Sequence, residues 1–249
     1  MEDVQAVLSA KDLSFSYPGR SVLDGVSFDL QKGSITCLGG ENGSGKTTLL
    51  NLLCGYLEPS EGTIRLLDNK LNGLNPYRIA RLGLGRTFQD LRLIGSFTVF
   101  ENIVFALTAH SEESFGTAVG LKRPEFLNEL VSERRPEALL AKYFLTEVAD
   151  QTADSISFGQ RKLLTLACCV ALGSDVLLLD EPVAGIGVNY QLQIAKALDE
   201  LRASGKTILL IEHQTDFLQE LSASYLYLAQ GKITTHAHVT GDQMDLNAH

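Results

Sequence analysis

Short apolar runs alternate with helix-forming stretches along most of this chain. Near its start, residues 7–17 and 22–30 are predicted strands, and Pro18-Gly19-Arg20 joins them as a hairpin. In the last third, predicted strands alternate with predicted helices over residues 176–179, 189–203, 207–211, 215–221 and 225–228. Continuous apolar strands separated by helices are typical of a parallel sheet that is covered on both faces. The pattern therefore predicts an α/β fold with a mostly parallel core sheet and an antiparallel β subdomain.

The middle of the chain has a different, helical character. Helical periodicity is evident over residues 99–106 and again over residues 137–144. The residues between these stretches, 111–136, are polar and charged, and we expect them to form a partly helical surface insertion. After Gly231 the tail has little pattern, and no element is predicted there.

These patterns predict a single domain over residues 1–249. We assign residues 1–88 and 173–249 to the core with its β subdomain, and residues 89–172 to a helical subdomain inserted between the two halves of the core. A chain of this length, with 45% hydrophobic residues, is large enough for one core with a subdomain.

The net charge and the N-terminal sequence limit the partners and the cellular compartment that we expect for this chain. A formal charge of −9, from 21 basic and 30 acidic residues, argues against a broad nucleic-acid or anionic-lipid surface. No apolar stretch reaches the ~20 residues that span a bilayer, and Met1-Glu2-Asp3 is acidic, unlike a signal peptide. We expect a cytoplasmic chain that does not bind nucleic acid. Its four cysteines show no metal-ligand spacing and are expected to be buried in a reducing compartment: Cys37, Cys54, Cys168 and Cys169.

The most specific motif is a glycine-rich segment between an apolar run at residues 34–38 and a helix-forming run at residues 49–53. It fits the pattern G-x-x-x-x-G-K-[ST], and we call it the phosphate loop: Gly40, Glu41, Asn42, Gly43, Ser44, Gly45, Lys46, Thr47 and Thr48. Glycines let its backbone N–H groups point at an anion, and the start of the following helix adds its positive end. Lys46 would neutralise the β- and γ-phosphates, and Thr47 would offer its hydroxyl to Mg²⁺. This setting favours a nucleoside triphosphate site over an ordinary glycine-rich turn.

Two carboxylates follow the apolar run at residues 176–179. Asp180 stands at the C-terminal end of a predicted buried strand, where an open α/β sheet binds its ligand, and it can hold Mg²⁺ with Thr47. Glu181 is one residue further on and can align and deprotonate a water that attacks the γ-phosphate. Solvated carboxylates are common at strand ends, but the phosphate loop upstream favours the functional interpretation.

Two further side chains are candidates for sensing the nucleotide. His213 ends another predicted strand, and although a lone histidine is more often a surface residue, its place after the strand end favours a role at the site. Gln89 lies where the core passes into the helical segment, and its amide can bind Mg²⁺ and water.

Together these motifs resemble the nucleotide-binding subunit of ATP-binding cassette (ABC) transporters over nearly the whole chain. The segment Ile156-Ser157-Phe158-Gly159-Gln160, here the signature segment, is similar to the family signature Leu-Ser-Gly-Gly-Gln and precedes a helix-forming run. Ser157 and Gly159 at a helix start are suited to a second anion site, the alternative being a helix cap alone. The resemblance implies head-to-tail dimers in which each ATP lies between one subunit's phosphate loop and the other's signature segment.

Carried over position by position, the resemblance implies a P-loop NTPase fold of the ABC ATPase type and a role for each motif residue. Tyr17 resembles the aromatic that stacks on adenine, and Gly40 to Thr48 resemble the Walker A loop. The implied catalytic residues are Glu181, His213 and Gln89, which resemble the catalytic glutamate, the switch histidine and the Q-loop glutamine. The implied ligands of Mg²⁺ are Thr47, Gln89 and Asp180, and the signature residues expected to bind the ATP of a facing subunit are Ser157, Gly159 and Gln160.

Finer features resemble the ATPases of branched-chain amino acid importers, and those of urea and amide importers are similar. They are residues 83–89, Arg92-Leu93, 157–160, 181–185, 211–213 and the insertion at 111–136. The implied partners are a second ATPase subunit, identical or different, polytopic membrane permease subunits, and a substrate-binding protein reached through the permease. The implied location is the cytoplasmic face of the cell (inner) membrane.

Three residues depart from the general family pattern. Phe158 stands where the signature has glycine, although aromatics here are similar to the importer subgroup. Gly187 stands where the D-loop carries Asp or Asn, so a side chain that couples the two sites is absent. Glu41 replaces the usual proline, and we expect its carboxylate to point away from the phosphates because like charges weaken binding.

The sequence leaves the cargo and the direction of transport open. An exporter subunit, a soluble ABC ATPase outside transport and a module that binds ATP with little turnover are the alternatives. Apolar residues near Gln89 are expected either to dock a partner helix or to pack the subdomain: Leu84, Phe88, Leu91, Leu93, Ile94, Phe97 and Phe100.

Overall fold

The computed structural model describes residues 6–87, 93–108, 135–221 and 223–236. The chain forms two compact units. The first unit contains residues 1–86, 175–182 and 198–249, and the second unit contains residues 87–174 and 183–197.

An antiparallel sheet forms one part of the first unit. Its strands are β1 (Ala6–Tyr17), β2 (Arg20–Gln31), β4 (Glu61–Leu66) and β5 (Asn69–Lys70), in the order β2-β1-β4-β5. The β1–β2 hairpin turns at Pro18-Gly19, where Gly19 has a φ of 76°. Alternate residues of β1 and β2, such as Leu8, Leu13, Leu23 and Leu30, are fully buried, which is the pattern of a sheet with one covered face.

A mostly parallel sheet forms the centre of the first unit. Its strands are β3 (Ile35–Gly39), β6 (Leu84–Arg86), β7 (Val176–Asp180), β8 (Thr207–Ile211), β9 (Ser224–Ala229) and β10 (Lys232–His236), in the order β10-β9-β3-β8-β7-β6. Only the β9–β10 pair is antiparallel. Every residue of β3, β7 and β8 is buried, as expected for central strands covered on both faces. Because β8 lies between β3 and β7, the segments that follow these three strands meet at one edge of the sheet.

Seven α-helices complete the described chain. In the first unit are α1 (Lys46–Leu53), α2 (Pro76–Arg81) and α7 (Thr215–Glu220). In the second unit are α3 (Val99–Thr108), α4 (Pro136–Lys142), α5 (Phe158–Ala171) and the greater part of α6 (Val188–Ala203), together with a 3₁₀ turn at Thr146–Val148. The predicted division assigned residues 183–197 to the core, whereas the compact units group them with the helical residues.

The second unit has its own polar and apolar interior. Asn102 is buried on α3, and its side chain accepts from Ile94 N–H at 3.0 Å and donates to the carbonyls of Ile94 and Thr98 at 3.1 and 3.0 Å. Each of these bonds satisfies a backbone group that burial would otherwise leave costly. Fully buried Ile103, Tyr143 and Leu163 supply the apolar part.

Most predicted elements are confirmed, and the exceptions are short. The sequence after Gly231 predicts no element, but residues 232–236 form β10, because the backbone of an edge strand pairs without an apolar pattern. The short elements α2, β5 and β6 were not predicted. The expected insertion at 111–136 lies almost entirely outside the described residues. In the described part of the chain, no helix combines the length and apolarity that crossing a membrane requires.

Candidate functional site

The phosphate loop connects β3 to α1 and depends on glycine at two tight points. Gly40 has a φ of 143°, and a Cβ there would collide with the carbonyl oxygen of Leu228. Gly45 has a φ of 110°, and a Cβ there would lie 2.9 Å from Cγ1 of Val22. L-residues with side chains rarely adopt these conformations, so the loop fold requires glycine at both positions.

Lys46 is folded back onto the loop that carries it. The residue is 8% exposed, and its ammonium donates to the carbonyl oxygens of Gly40 at 2.7 Å and Glu41 at 2.9 Å. Burial lowers the pKa of Lys46, while the nearby carboxylates of Glu181 and Asp180 act in the opposite direction. An ammonium has three N–H donors, so the two carbonyl bonds leave one for an anion.

The hydroxyl group of Ser44 is suited to binding an anionic ligand inside the phosphate loop. Its Oγ is buried, and among the described residues no group hydrogen bonds to it. A buried hydroxyl without a partner is costly, and a phosphate oxygen is an acceptor that its proton can reach from inside the loop. The same Oγ would lie 2.7 Å from a Cβ on Gly40, which places it in the narrow part of the cradle.

Asp180 ends β7 in a buried polar cluster. Arg86, at the end of β6, lies with Nη2 3.4 Å from Oδ2 of Asp180, and its Nη1 donates to Oδ1 of Asn51 on α1 at 2.6 Å. Both charged side chains are buried, so each compensates a charge that isolation would make costly. Arg86 thereby joins α1 to the ends of two strands.

Glu181 has an unusual backbone conformation. Its φ of 49° is in the left-handed region, which costs a residue with a Cβ roughly 1–2 kcal/mol. Its N–H donates to the carbonyl of Ile211 at 3.0 Å, which fixes the turn against the end of β8. Such conformations occur at functional sites, where the surrounding structure imposes them.

His213 follows β8 on a turn that Glu212 organises. The Glu212 side chain is 3% exposed, and its Oε1 accepts from the backbone N–H groups of His213 at 2.8 Å and Gln214 at 3.2 Å. His213 itself is exposed, as a residue that contacts a ligand must be. The resemblance over residues 211–213 includes Glu212 but gives it no role, because a local motif does not show that its carboxylate accepts backbone N–H groups.

The residues available for Mg²⁺ suit an ion that also takes ligands from phosphates. Thr47 is exposed on the first turn of α1, and Asp180 is buried at the strand edge. Within the described ranges, no cluster of three His, Cys, Asp or Glu could hold a metal by itself. Mg²⁺ is commonly held by one or two protein groups with substrate phosphates, so these residues fit it. Gln89, the third predicted ligand, lies outside the described residues, as do Phe88 and Leu91.

An open cavity of about 640 Å³ lies against the outer face of the phosphate loop. It is lined by the loop residues Glu41 to Ser44, the β2 residues Arg20, Ser21, Val22 and Asp24, and Ala229, Gln230 and Gly231. The guanidinium of Arg20 donates to the carbonyl of Gly43 at 3.3 Å across it. Tyr17 lies at the end of β1, where the residue is 42% exposed and its ring makes a T-shaped contact with Phe15 at 5.0 Å between ring centroids.

In the second unit, the signature segment begins α5 with a complete capping box. Oγ of Ser157 accepts from Gln160 N–H at 3.3 Å, and Oε1 of Gln160 accepts from Ser157 N–H at 2.9 Å. A second group reaches the same hydroxyl: Ser157 Oγ lies 3.1 Å from the phenol oxygen of Tyr190 on α6. The sequence analysis did not identify Tyr190.

Phe158 and Gly187, which depart from the general family pattern, have different surroundings. The Phe158 ring is 41% exposed, with Arg161 at 5.8 Å and Lys162 at 5.5 Å from its centroid, so basic groups flank the signature segment. A Cβ on Gly187 would meet no described atom within 4 Å. The absence of a side chain at Gly187 is therefore not a packing requirement.

Two sets of predicted residues are thus each brought together within one unit. The first unit contains the phosphate loop, Tyr17, Asp180, Glu181 and His213, and the carboxylates of Glu181 and Asp180 act electrostatically on Lys46. The second unit contains Ser157, Gly159 and Gln160. The apolar residues expected near Gln89 are half-buried where described, except Leu84, which is buried in β6.

Comparisons with known proteins agree with this arrangement. A family model described as "ABC transporter" matches residues 23–184. The high-affinity branched-chain amino acid transport ATP-binding protein LivG of Escherichia coli (strain K12) is 34% identical over 246 residues, covering 98% of this chain and 95% of LivG. BraF, of the same description, from Pseudomonas aeruginosa, is 32% identical over 230 residues, covering 90% and 89%. A solved ADP conformation of an ATP-binding cassette of an ABC transporter has a TM-score of 0.80 at 26% identity, covering 97% and 94%.

Proposed function

The chain belongs to the ABC transporter family and is an ATPase of the ATP-binding cassette type, and from this premise we propose that it powers import of amino acids or similar small polar solutes. The relationship to LivG over 98% of the chain supports this choice of cargo class. The observation that carries the proposal is the phosphate loop itself. Lys46 is buried there under the electrostatic influence of Glu181 and Asp180, and no described group hydrogen bonds to Ser44 Oγ.

The proposed roles follow from the chemistry of each side chain. Lys46 and the loop N–H groups bind the phosphates of ATP, and Tyr17 stacks on the base. Glu181 accepts the proton of the attacking water, and His213 contacts the γ-phosphate. Thr47, Asp180 and Gln89 would hold Mg²⁺, which would supply positive charge next to the phosphates. Most of the rate enhancement comes from positioning and electrostatics.

We propose that the active form is a head-to-tail pair of ATPase subunits. Ser157, Gly159 and Gln160 of one subunit would bind the γ-phosphate of an ATP held by the phosphate loop of the other. ATP closes the pair, and hydrolysis reopens it. The second ATPase subunit is either identical or a different chain of the same family.

The pair would work on membrane permease subunits at the cytoplasmic face of the cell membrane. The half-buried residues Leu93, Ile94, Phe97 and Phe100 are proposed to contribute to docking, because apolar side chains that are not fully buried can accept a partner helix. Phe97 also packs edge-on against Phe105, at 6.3 Å between ring centroids, so part of this set stabilises the unit itself. A substrate-binding protein would act through the permease.

Glu181→Gln tests the catalytic and transport parts together. Glutamine keeps the shape but cannot accept the proton, so this variant is expected to bind ATP and lose at least 100-fold in turnover, remaining closed on ATP. An affinity pull-down of tagged Glu181→Gln with ATP and Mg²⁺ from detergent-solubilised cells, read by mass spectrometry, should recover polytopic membrane proteins.

Lys46→Ala is the matched control, because it removes phosphate binding. The amount of membrane protein recovered with this variant should therefore be the same with and without ATP. Normal steady-state turnover by Glu181→Gln would contradict the role of Glu181. Recovery of soluble partners alone would favour an ABC ATPase outside transport.

A further inference from the structure

We propose that Tyr190 is a positioning residue for Ser157 that directs the single hydroxyl proton of the signature serine to the ATP of the facing subunit. The inference rests on the proposed function, in which Ser157 serves a second copy of the chain. It adds a residue that the motifs do not contain, 33 positions along the chain from Ser157.

Tyr190 contacts the signature segment at two points. Its phenol oxygen lies 3.1 Å from Oγ of Ser157, and its ring covers Gly159 so closely that a Cβ at Gly159 would collide with the ring. The ring therefore occupies the position that any side chain at Gly159 would take. Glycine at 159 and tyrosine at 190 are matched, and together they hold the phenol beside the serine hydroxyl.

The start of α6 holds the phenol in place. Tyr190 N–H donates to the carbonyl of Gly187 at 3.0 Å, in the first turn of the helix. Tyr190 is half-buried, so its ring has packing on one side and access to the signature surface on the other. A partner that contacts Gly187 would therefore act on the same helical turn that carries the phenol.

The number of hydrogen bonds that the Ser157 hydroxyl can make determines what its contact with Tyr190 does. A hydroxyl has one proton to donate and two lone pairs to accept. Gln160 N–H takes one lone pair of Ser157 Oγ, at 3.3 Å. In the structure Ser157 Oγ donates to the phenol oxygen of Tyr190, and this bond uses the single proton that a phosphate would need.

A phosphate oxygen can only accept, so a Ser157 hydroxyl that donates to phosphate keeps its hydrogen bond to Tyr190 only if that bond reverses. The phenol O–H then donates to the second lone pair of Ser157, and the Ser157 proton is released to the phosphate. Both lone pairs of Ser157 Oγ then accept a hydrogen bond, one from Gln160 N–H and one from Tyr190. The Ser157 proton is left to donate to the phosphate. Chained hydrogen bonds also strengthen one another, which makes Ser157 a better donor.

Tyr190→Phe tests the idea because it keeps the ring on Gly159 and removes only the hydroxyl. The parent is Glu181→Gln, and the measurement is the ATP concentration for half-maximal association of two copies, followed by light scattering with Mg²⁺. Tyr190→Phe leaves no phenol to polarise Ser157 or to direct its proton toward the phosphate, so that concentration should rise about 3- to 10-fold. The temperature of unfolding should stay within a few degrees, and binding of fluorescent ATP to dilute monomer should not change.

A double-mutant comparison separates positioning from general packing. In a Ser157→Ala background there is no hydroxyl to direct, so Tyr190→Phe should have no further effect on association. An unchanged midpoint for Tyr190→Phe, or an equal loss with and without Ser157, would overturn the role of Tyr190. If Ser157→Ala itself left association unchanged, or the parent did not associate with ATP, the shared site of the proposed function would fail as well.

Discussion

Individual residues at this site are held in states that a ligand would relieve. Lys46 bonds to the carbonyls of its own loop, Glu181 has a left-handed backbone, and the buried hydroxyl of Ser44 has no partner among the described residues. The left-handed backbone and the buried hydroxyl each carry a cost, whereas the hydrogen bonds of Lys46 keep its ammonium on the loop. Binding of a polyanion supplies the missing acceptor for Ser44, so part of the affinity for ATP is already built into the folded loop.

Ser44→Ala should therefore weaken nucleotide binding without weakening the fold. The variant loses no protein hydrogen bond, so its free energy of unfolding should change by less than about 0.5 kcal/mol. Its Kd for ATP should rise about tenfold, because a hydrogen bond to a charged phosphate is lost.

Isothermal titration and urea unfolding measure the two quantities for Ser44→Ala. Ser204→Ala is the control, since Ser204 Oγ donates to the carbonyl of Leu201 at 2.7 Å. It should lose stability and keep its affinity for ATP. The reverse pattern in the two variants would contradict the assignment of Ser44.

At the scale of elements, buried charge links the nucleotide site to the sheet. Arg86 at the end of β6 contacts both Asp180 at the end of β7 and Asn51 on α1. Three elements that bear on the phosphate loop are therefore joined by one guanidinium. In the sheet itself β6 pairs with β7, and Arg86 is opposite Leu178.

Arg86→Met should destabilise the chain strongly. Removing one partner of a buried ion pair leaves the other charge uncompensated, and we expect a loss of about 3 kcal/mol in the free energy of unfolding. The exposed pair of Arg202 and Asp199, at 2.6 Å, is the comparison, and Arg202→Met should cost under about 1 kcal/mol. Urea unfolding at neutral pH measures both, and similar losses would show that the Arg86 cluster is not a structural link.

At the scale of the whole molecule, buried thiols make stability depend on alkaline pH. Burial raises the pKa of Cys37 and of Cys169 from 9.0 to about 12 and that of Cys54 to about 11, and it also raises the pKa of Cys168. Unfolded thiols ionise near pH 9 while the folded ones stay protonated. The stability is thus fully present below pH 9 and falls as pH rises above it, by up to about 1.4 kcal/mol per pH unit for each thiol.

The temperature of unfolding should accordingly fall between pH 9 and pH 10.5 in the presence of a reductant. The lowered pKa of Lys46 acts in the opposite direction, but it is one group against three buried thiols and Cys168, which is half-buried and not buried as expected. Cys169→Ala removes one of them, so its unfolding temperature should decline less steeply over this range. Parallel curves for the two proteins would show that the thiols do not cause the decline.

The sequence by itself determined the class of fold, the phosphate loop and the order of the motifs. Those features depend on local spacing: apolar periodicity predicts strands and helices, and glycine, lysine and threonine at fixed intervals predict a phosphate cradle. The strand Thr207–Ile211 has the same bounds in the prediction and the structure, and β7 differs only by including Asp180.

Only the tertiary structure decided which distant side chains complete these motifs. Arg86 and Asp180 are 94 residues apart and Ser157 and Tyr190 are 33 apart, so no local pattern pairs them. The strand β10 likewise forms because its backbone pairs with β9, with Lys232 opposite Ala229, which a search for apolar alternation does not detect. The motifs consist of residues that are close in sequence, so they can be identified before the fold is known. Hydrogen bonds and charge pairs between distant residues exist only after the chain has folded.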